Sequence, residues 1–249
     1  MWCSIKSLCT VACSLVCGLV LTARADAAPA FEDSIAQRTL ACTACHGDQG
    51  RAGPDGYYPR LAGKPAGYLY NQLLNFRDGR RHYGLMTHMV DVLSDAYLFE
   101  IASHFASLQV PYPPPAPPTQ RAAPEVLQRG RTLALQGDAA RRLPACADCH
   151  GRALMGVQMH FPALLGLPAD YLTAQLGGWK TGQRRAASPD CMARIAERLS
   201  DADAFAVVSW LASQPVPTQT HAADAPLAPR PPAADLRCGS AALPANASR

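Results

Sequence analysis

Cys42-Thr-Ala-Cys45-His46 and Cys146-Ala-Asp-Cys149-His150 decide the reading of this 249-residue chain. In each, two thiols stand one helical turn apart and an imidazole follows at once. That spacing lets both sulfurs add to the vinyl groups of one porphyrin while the histidine reaches its iron, so each copy reads as a covalent c-type haem site. Two other chemistries use Cys-x-x-Cys: a thioredoxin-like redox pair, and a zinc site made of Cys42, Cys45, Cys146 and Cys149. Neither gives the two histidines a role. The redox pair also expects a βαβ context, and the zinc site would have to join loops about a hundred residues apart.

Upstream of the first motif, Lys6, the apolar run Val11 to Leu21 and the small residues Ala25-Asp-Ala27 read as a secretory signal over residues 1–27. The expectation is export to the periplasm. An uncleaved anchor and a loose association with a membrane stay open, because the run is short for a span and is followed at once by Arg24 and Asp26. Removing the signal leaves Cys191 and Cys238 beside the four motif cysteines. An oxidising compartment lets those two pair, although spacing alone does not say that they do. The net charge of +4 is modest and points to no nucleic-acid partner. Residues 28–110 hold 7 basic and 8 acidic side chains and residues 111–215 hold 11 and 8, so the second half is the more positive.

The two halves are copies of each other. Tyr58-Pro-Arg-Leu-Ala-Gly-Lys-Pro-Ala-Gly-Tyr-Leu69 matches Phe161-Pro-Ala-Leu-Leu-Gly-Leu-Pro-Ala-Asp-Tyr-Leu172. Gln72-Leu73 then answers Gln175-Leu176, Phe76-Arg77 answers Trp179-Lys180, and Gly79 answers Gly182. Met86 with Leu93-Ser-Asp-Ala96 answers Met192 with Leu199-Ser-Asp-Ala202. Between the copies, Pro111-Tyr-Pro-Pro-Pro-Ala-Pro-Pro118 suits only an extended spacer. The expected layout is therefore a first domain over 28–110, a linker over 111–123, a second domain over 124–214 and a Pro/Ala-rich tail over 215–249 without fixed structure.

Periodicity predicts an all-α fold with no convincing strand. Helices are expected over Phe31 to Ala44, Pro65 to Arg77, Pro124 to Gln136 and Pro168 to Lys180. Ser94-Asp-Ala-Tyr and Ser200-Asp-Ala-Asp should open the last helix of each half, the serine capping free amides.

Each half resembles a class I cytochrome c, and the pair resembles the dihaem cytochrome c4 family over roughly residues 31–213, carried by the motifs just quoted. The resemblance implies two covalently bound haem c groups in tandem domains. His46 and His150 then fill one axial position each. A thioether suits the other in a high-potential centre, and Met86 and Met192 stand at matching places seven residues before Leu93 and Leu199. Met89 aligns with Ile195 and is expected in the core. His82, His88 and His160 would give bis-histidine ligation but do not match across the repeat. Cys191, beside Met192, would give a thiolate ligand, yet its counterpart is Leu85. The carbonyls of Pro59 and Pro162 are expected to orient the two imidazoles, as the corresponding prolyl carbonyl does in the family. Tyr68, Tyr171, Phe76, Trp179, Arg60 and Arg77 are open to porphyrin or propionate contacts, or to ordinary core and surface roles.

An iron closed by His and Met offers no position for substrate, so the expected function is one-electron transfer and not catalysis. The donor would be a quinol-oxidising cytochrome complex or a dehydrogenase, and the acceptor a terminal oxidase. Two other readings remain: a catalytic dihaem peroxidase or thiosulfate-oxidising enzyme using Cys191, and a fixed cytochrome subunit of a dehydrogenase.

Overall fold

The computed structural model describes residues 32–53, 57–112, 122–224 and 236–245. The signal at 1–27 and the linker prolines 113–118 lie outside them. The described chain is helical, built around two hydrophobic cores, one from each half.

The first half holds α1 (Ile35–Arg38), α2 (Leu40–His46), α3 (Ala66–Arg77), α4 (Gly84–Val90) and α5 (Asp95–Ser107). The single helix expected from Phe31 to Ala44 is thus two pieces within the described residues. Thr39 separates them: its hydroxyl donates back to the carbonyls of Ile35 (2.8 Å) and Ala36 (3.1 Å), the local competition that makes threonine a poor helix-interior residue. Pro65 caps α3, which lays Leu69, Tyr70 and Leu74 against Leu98, Ile101 and Phe105 of α5.

The second half repeats this with α6 (Pro124–Leu135), α7 (Cys146–His150), α8 (Ala169–Lys180), α9 (Cys191–Arg198) and α10 (Asp201–Ser213). A two-residue antiparallel pair, β1 (Gly156–Val157) with β2 (Phe161–Pro162), stands where no strand is expected. It is too short for an alternating pattern to register in the sequence. Helices α6 and α10 cross so closely that a Cβ on Gly130 would lie 2.0 Å from the Ala206 carbonyl oxygen, which excludes every larger residue there. Both serine caps form: Ser94 Oγ accepts from the Tyr97 amide (3.3 Å) and Ser200 Oγ from that of Asp203 (3.1 Å).

The halves join about a local two-fold. The His82 amide donates to the Gln183 carbonyl (2.8 Å), and the equivalent Arg185 amide donates to that of Arg80 (2.7 Å). Helix α3 also begins against the second half, the Tyr68 amide bonding the Met159 carbonyl (3.0 Å). Gly67 is required there, because a Cβ would fall 2.5 Å from the His160 ring.

The tail departs from expectation. Cys238 is disulfide-bonded to Cys191 in α9, the Gly239 amide bonds the Pro189 carbonyl (2.7 Å), and the Ala241 amide bonds Asn71 Oδ1 in α3 (3.0 Å). Residues 236–245 therefore run from the second half onto the first instead of lying loose. A low apolar content hides such an anchor, because one covalent bond and a few polar contacts replace the missing core.

Candidate haem centres

Each Cys-x-x-Cys-His sits at the end of a short helix, α2 or α7, that delivers its histidine into the interior: His46 is 8% and His150 7% exposed. His46 Nδ1 donates to the Pro59 carbonyl at 2.8 Å, and His150 Nδ1 donates to that of Pro162 at 2.8 Å. A carbonyl can only accept, so Nδ1 carries the proton and Nε2 keeps the lone pair an iron needs. Burial, first of all, disfavours the charged form of both imidazoles.

A second support is also repeated. The Tyr58 ring meets His46 edge-on at 6.2 Å, and Phe161 meets His150 in the same way at 6.2 Å. The sequence match of Tyr58 with Phe161 marks the pair, but nothing local in the sequence says what the rings touch.

The four motif cysteines are free thiols, Cys45 exposed and the others half-buried. Burial pushes the Cys146 thiol up to about 12 and raises those of Cys42 and Cys149. No group of three or more His, Cys, Asp or Glu among the described residues could hold a metal, so the zinc reading fails. Free, closely spaced thiols beside an Nε2-directed histidine fit a covalently attached haem in each half.

Met86, in α4, packs half-buried against the first core, and Met192, in α9, is half-buried as well. Met89 is instead 44% exposed, not a core residue, and its neighbours Leu85 and Val92 are exposed too. Helix α4 is only seven residues long and buries only Val90, so a position three residues from Met86 can face outward. His82 and His88 are exposed, while His160 is engaged with Asn71 (3.4 Å) and Ser240 (3.3 Å) at the domain junction. Cys191 is taken by its disulfide and has no thiolate to offer, which removes the basis of the catalytic reading.

The remaining candidates have other partners. Arg60, 3% exposed, donates to the carbonyls of Ala62 (2.9 Å), Val110 and Pro111 (3.2 Å) and lies 4.0 Å from the Tyr112 ring, gripping the start of the linker. Arg77 pairs with Asp95 (2.6 Å) and Asp78, and the equivalent Lys180 with Asp201 (2.6 Å). Phe76 lies under Arg81 (4.6 Å) and Trp179 under Arg184 (3.9 Å), while Tyr68 meets Arg184 (3.4 Å). Tyr171 is buried in the second core.

No family model matches the chain. Over 199 residues it is 42% identical to the thiosulfate dehydrogenase electron acceptor of Thiomonas intermedia, covering 79% of this chain and 89% of that protein. It is 34% identical over 200 residues to cytochrome c4 of Pseudomonas aeruginosa, covering 80% and 95%. Among solved structures it resembles reduced cytochrome c4 from Pseudomonas stutzeri, with a TM-score of 0.60, 30% identity, and 72% and 95% of the two chains covered. It also resembles the thiosulfate dehydrogenase (TsdBA) of Marichromatium purpuratum, with a TM-score of 0.58, 32% identity and 70% of this chain covered. The match spans only 36% of that longer protein.

Proposed function

The chain belongs to the cytochrome c4 family of dihaem electron carriers, and from that premise we propose that it takes electrons from a thiosulfate-oxidising dehydrogenase and passes them singly to a respiratory acceptor. The observation that carries this reading is the identical mounting of His46 and His150, each held by a prolyl carbonyl and an edge-on ring. Bound haem supplies an iron that cycles between ferric and ferrous states. The chain's part is to hold it through Cys42, Cys45 and His46 in one half and Cys146, Cys149 and His150 in the other. Met86 and Met192 would supply the remaining iron ligands, which would leave neither iron open to substrate and make the protein a carrier and not an enzyme. Identity to an electron acceptor of thiosulfate dehydrogenase favours that class of donor. A quinol-oxidising complex is the second donor, and a terminal oxidase the acceptor.

The place of action is the periplasm, in keeping with the sequence of residues 1–27 and with a disulfide. Among the described residues no helix is long and apolar enough to cross a membrane.

Visible and near-infrared spectra of the purified protein test the ligand set. Two low-spin haems with a thioether-to-iron charge-transfer band are expected; a high-spin fraction, or no such band, sinks it. Stopped-flow mixing with a thiosulfate dehydrogenase and thiosulfate tests the donor. Reduction of both haems is expected, and no reduction beyond the rate without the dehydrogenase rejects that donor. Co-purification as a stoichiometric complex would identify a fixed subunit instead of a free carrier.

A further inference from the structure

Bonds across the domain junction come partly in two-fold pairs. The His82 and Arg185 amides form one such pair. In another, Arg81 Nη2 donates to Gln175 Oε1 (2.6 Å) and Arg184 Nη2 donates back to Gln72 Oε1 (3.1 Å). The contact at Arg60 occurs once. This buried side chain spreads over three carbonyls: Nε donates to that of Ala62 (2.9 Å), Nη1 to that of Pro111 (3.2 Å) and Nη2 to that of Val110. The guanidinium carbon then lies 4.0 Å from the centre of the Tyr112 ring. That ring leaves the first half. It packs on the second core, as Val216 does, and a Cβ on Gly166, between β2 and α8, would fall 2.5 Å from it.

The repeat isolates this pair of residues. Each half leaves its last helix in the same way: Val110-Pro111-Tyr112 follows Ser107 of α5 at the spacing at which Val216-Pro217-Thr218 follows Ser213 of α10. Arg60 answers Ala163, and Tyr112 answers Thr218. Both partners of the stack are therefore missing from the second half. There the exit turns back along its own half, the Gln158 amide bonding the Ala223 carbonyl (2.8 Å). Arginine and tyrosine stand together only where the chain crosses from one haem domain to the other. A lysine could not replace the arginine, because only a planar fork bonds several carbonyls at once and still offers a face to a ring.

We propose that Arg60 and Tyr112 form a joint that fixes the angle between the two haem domains, and that Arg60 is thereby a positioning residue for electron exchange between the haems. A proline-rich spacer sets a length but not an orientation. Here its first residues are held to both bodies: Arg60 fixes the backbone of Val110 and Pro111 to the first, and the Tyr112 ring seats on the second. Exchange between two cofactors depends on how closely and in what orientation the fold presents them, so a loosened angle costs rate. An arginine that merely filled the first core would make Tyr112 dispensable.

Nitroxide labels on Val92→Cys and Phe205→Cys, both exposed and one in each half, read the angle as a distance distribution in the holoprotein. A narrow distribution is expected in the parent. Arg60→Ala and Tyr112→Thr, the residues the repeat itself uses, should each broaden it, while Tyr112→Phe, which keeps the ring, should not. If Arg60→Ala loses haem, Tyr112→Thr carries the measurement. Distributions as narrow as the parent's in the variants that retain both haems would overturn the joint. The role in electron exchange rests on the two-haem carrier reading and is tested separately, by pulse-radiolytic reduction of one haem and re-equilibration with the other. Both broadened variants should re-equilibrate severalfold more slowly, with haem content and the charge-transfer band as in the parent. A broadened distribution with an unchanged rate would overturn the positioning role. A parent without two low-spin haems would defeat the carrier reading instead, and the label distances would still decide the joint.

Discussion

The two haem domains agree around their histidines and differ around their methionines. In the first, Met86 lies on α4, a helix whose Leu85 and Met89 face outward. In the second, Met192 follows Cys191, and the disulfide to Cys238 ties α9 to the tail and through it to Asn71 of the other domain. The helices behind them differ as well. Asp203 of α10 accepts from Arg129 (2.8 Å) and pairs with Arg141 (2.7 Å), while the matching position in α5 is Tyr97, over which the Arg38 guanidinium lies at 5.4 Å. Duplication has kept the mounting of the two histidines and varied the surroundings of the two methionines proposed as ligands.

The hardest blow to this comparison falls on the ligands. Met192→Ala should admit carbon monoxide to the second haem alone, with a potential drop that is a sizeable part of the roughly 0.8 V that axial ligands span. Met86→Ala should do the same to the first. Carbon monoxide binding at neither haem would mean that the methionines do not ligate.

Next comes the staple. Cys191 and Cys238 close a loop with a sequence separation of 47, so Cys238→Ser should cost about 2–4 kcal/mol. Calorimetry should show the second domain's transition falling and the first's nearly still. A uniform shift would show that the tail stabilises the whole molecule.

A smaller effect tests the ionic side. The guanidinium groups of Arg129 and Arg141 help hold the Asp203 carboxyl at about 2, well below the ordinary carboxylate range. A carboxylate whose folded pKa is depressed stabilises fully above its unfolded pKa of about 4 and loses that contribution as pH falls toward about 2. Asp203→Asn should therefore cost about 2 kcal/mol in urea unfolding at pH 7. The gap from the parent should close at the acid end of that window. The smallest change is expected from Glu100→Gln, which removes the exposed Arg38 pair (3.0 Å) and should cost no more than about 0.5 kcal/mol. A loss as large as that of Asp203→Asn would erase the contrast between the two domains.

What the sequence disclosed was whatever is local or repeated. The haem motifs, Pro59 and Pro162, and the capping serines each act within a few residues or recur at a matching place. Met89 misled because alignment with Ile195 transfers a residue's place but not the exposure of so short a helix. The Gln72 and Gln175 match was visible, yet its meaning was not: a contact between halves leaves no spacing in either half. The tail bond joins Cys191 to a segment whose composition carries no periodicity at all.

The disulfide also sets a demand on how the chain is made. Cys42, Cys45, Cys146 and Cys149 are wanted as thiols by the porphyrins, while Cys191 and Cys238 of the same chain are wanted joined. Neighbours three positions apart would pair fastest if left alone, and each such pairing would close an attachment site before its haem arrived. Maturation of this protein therefore has to run reduction and oxidation side by side on one polypeptide, and in the right order.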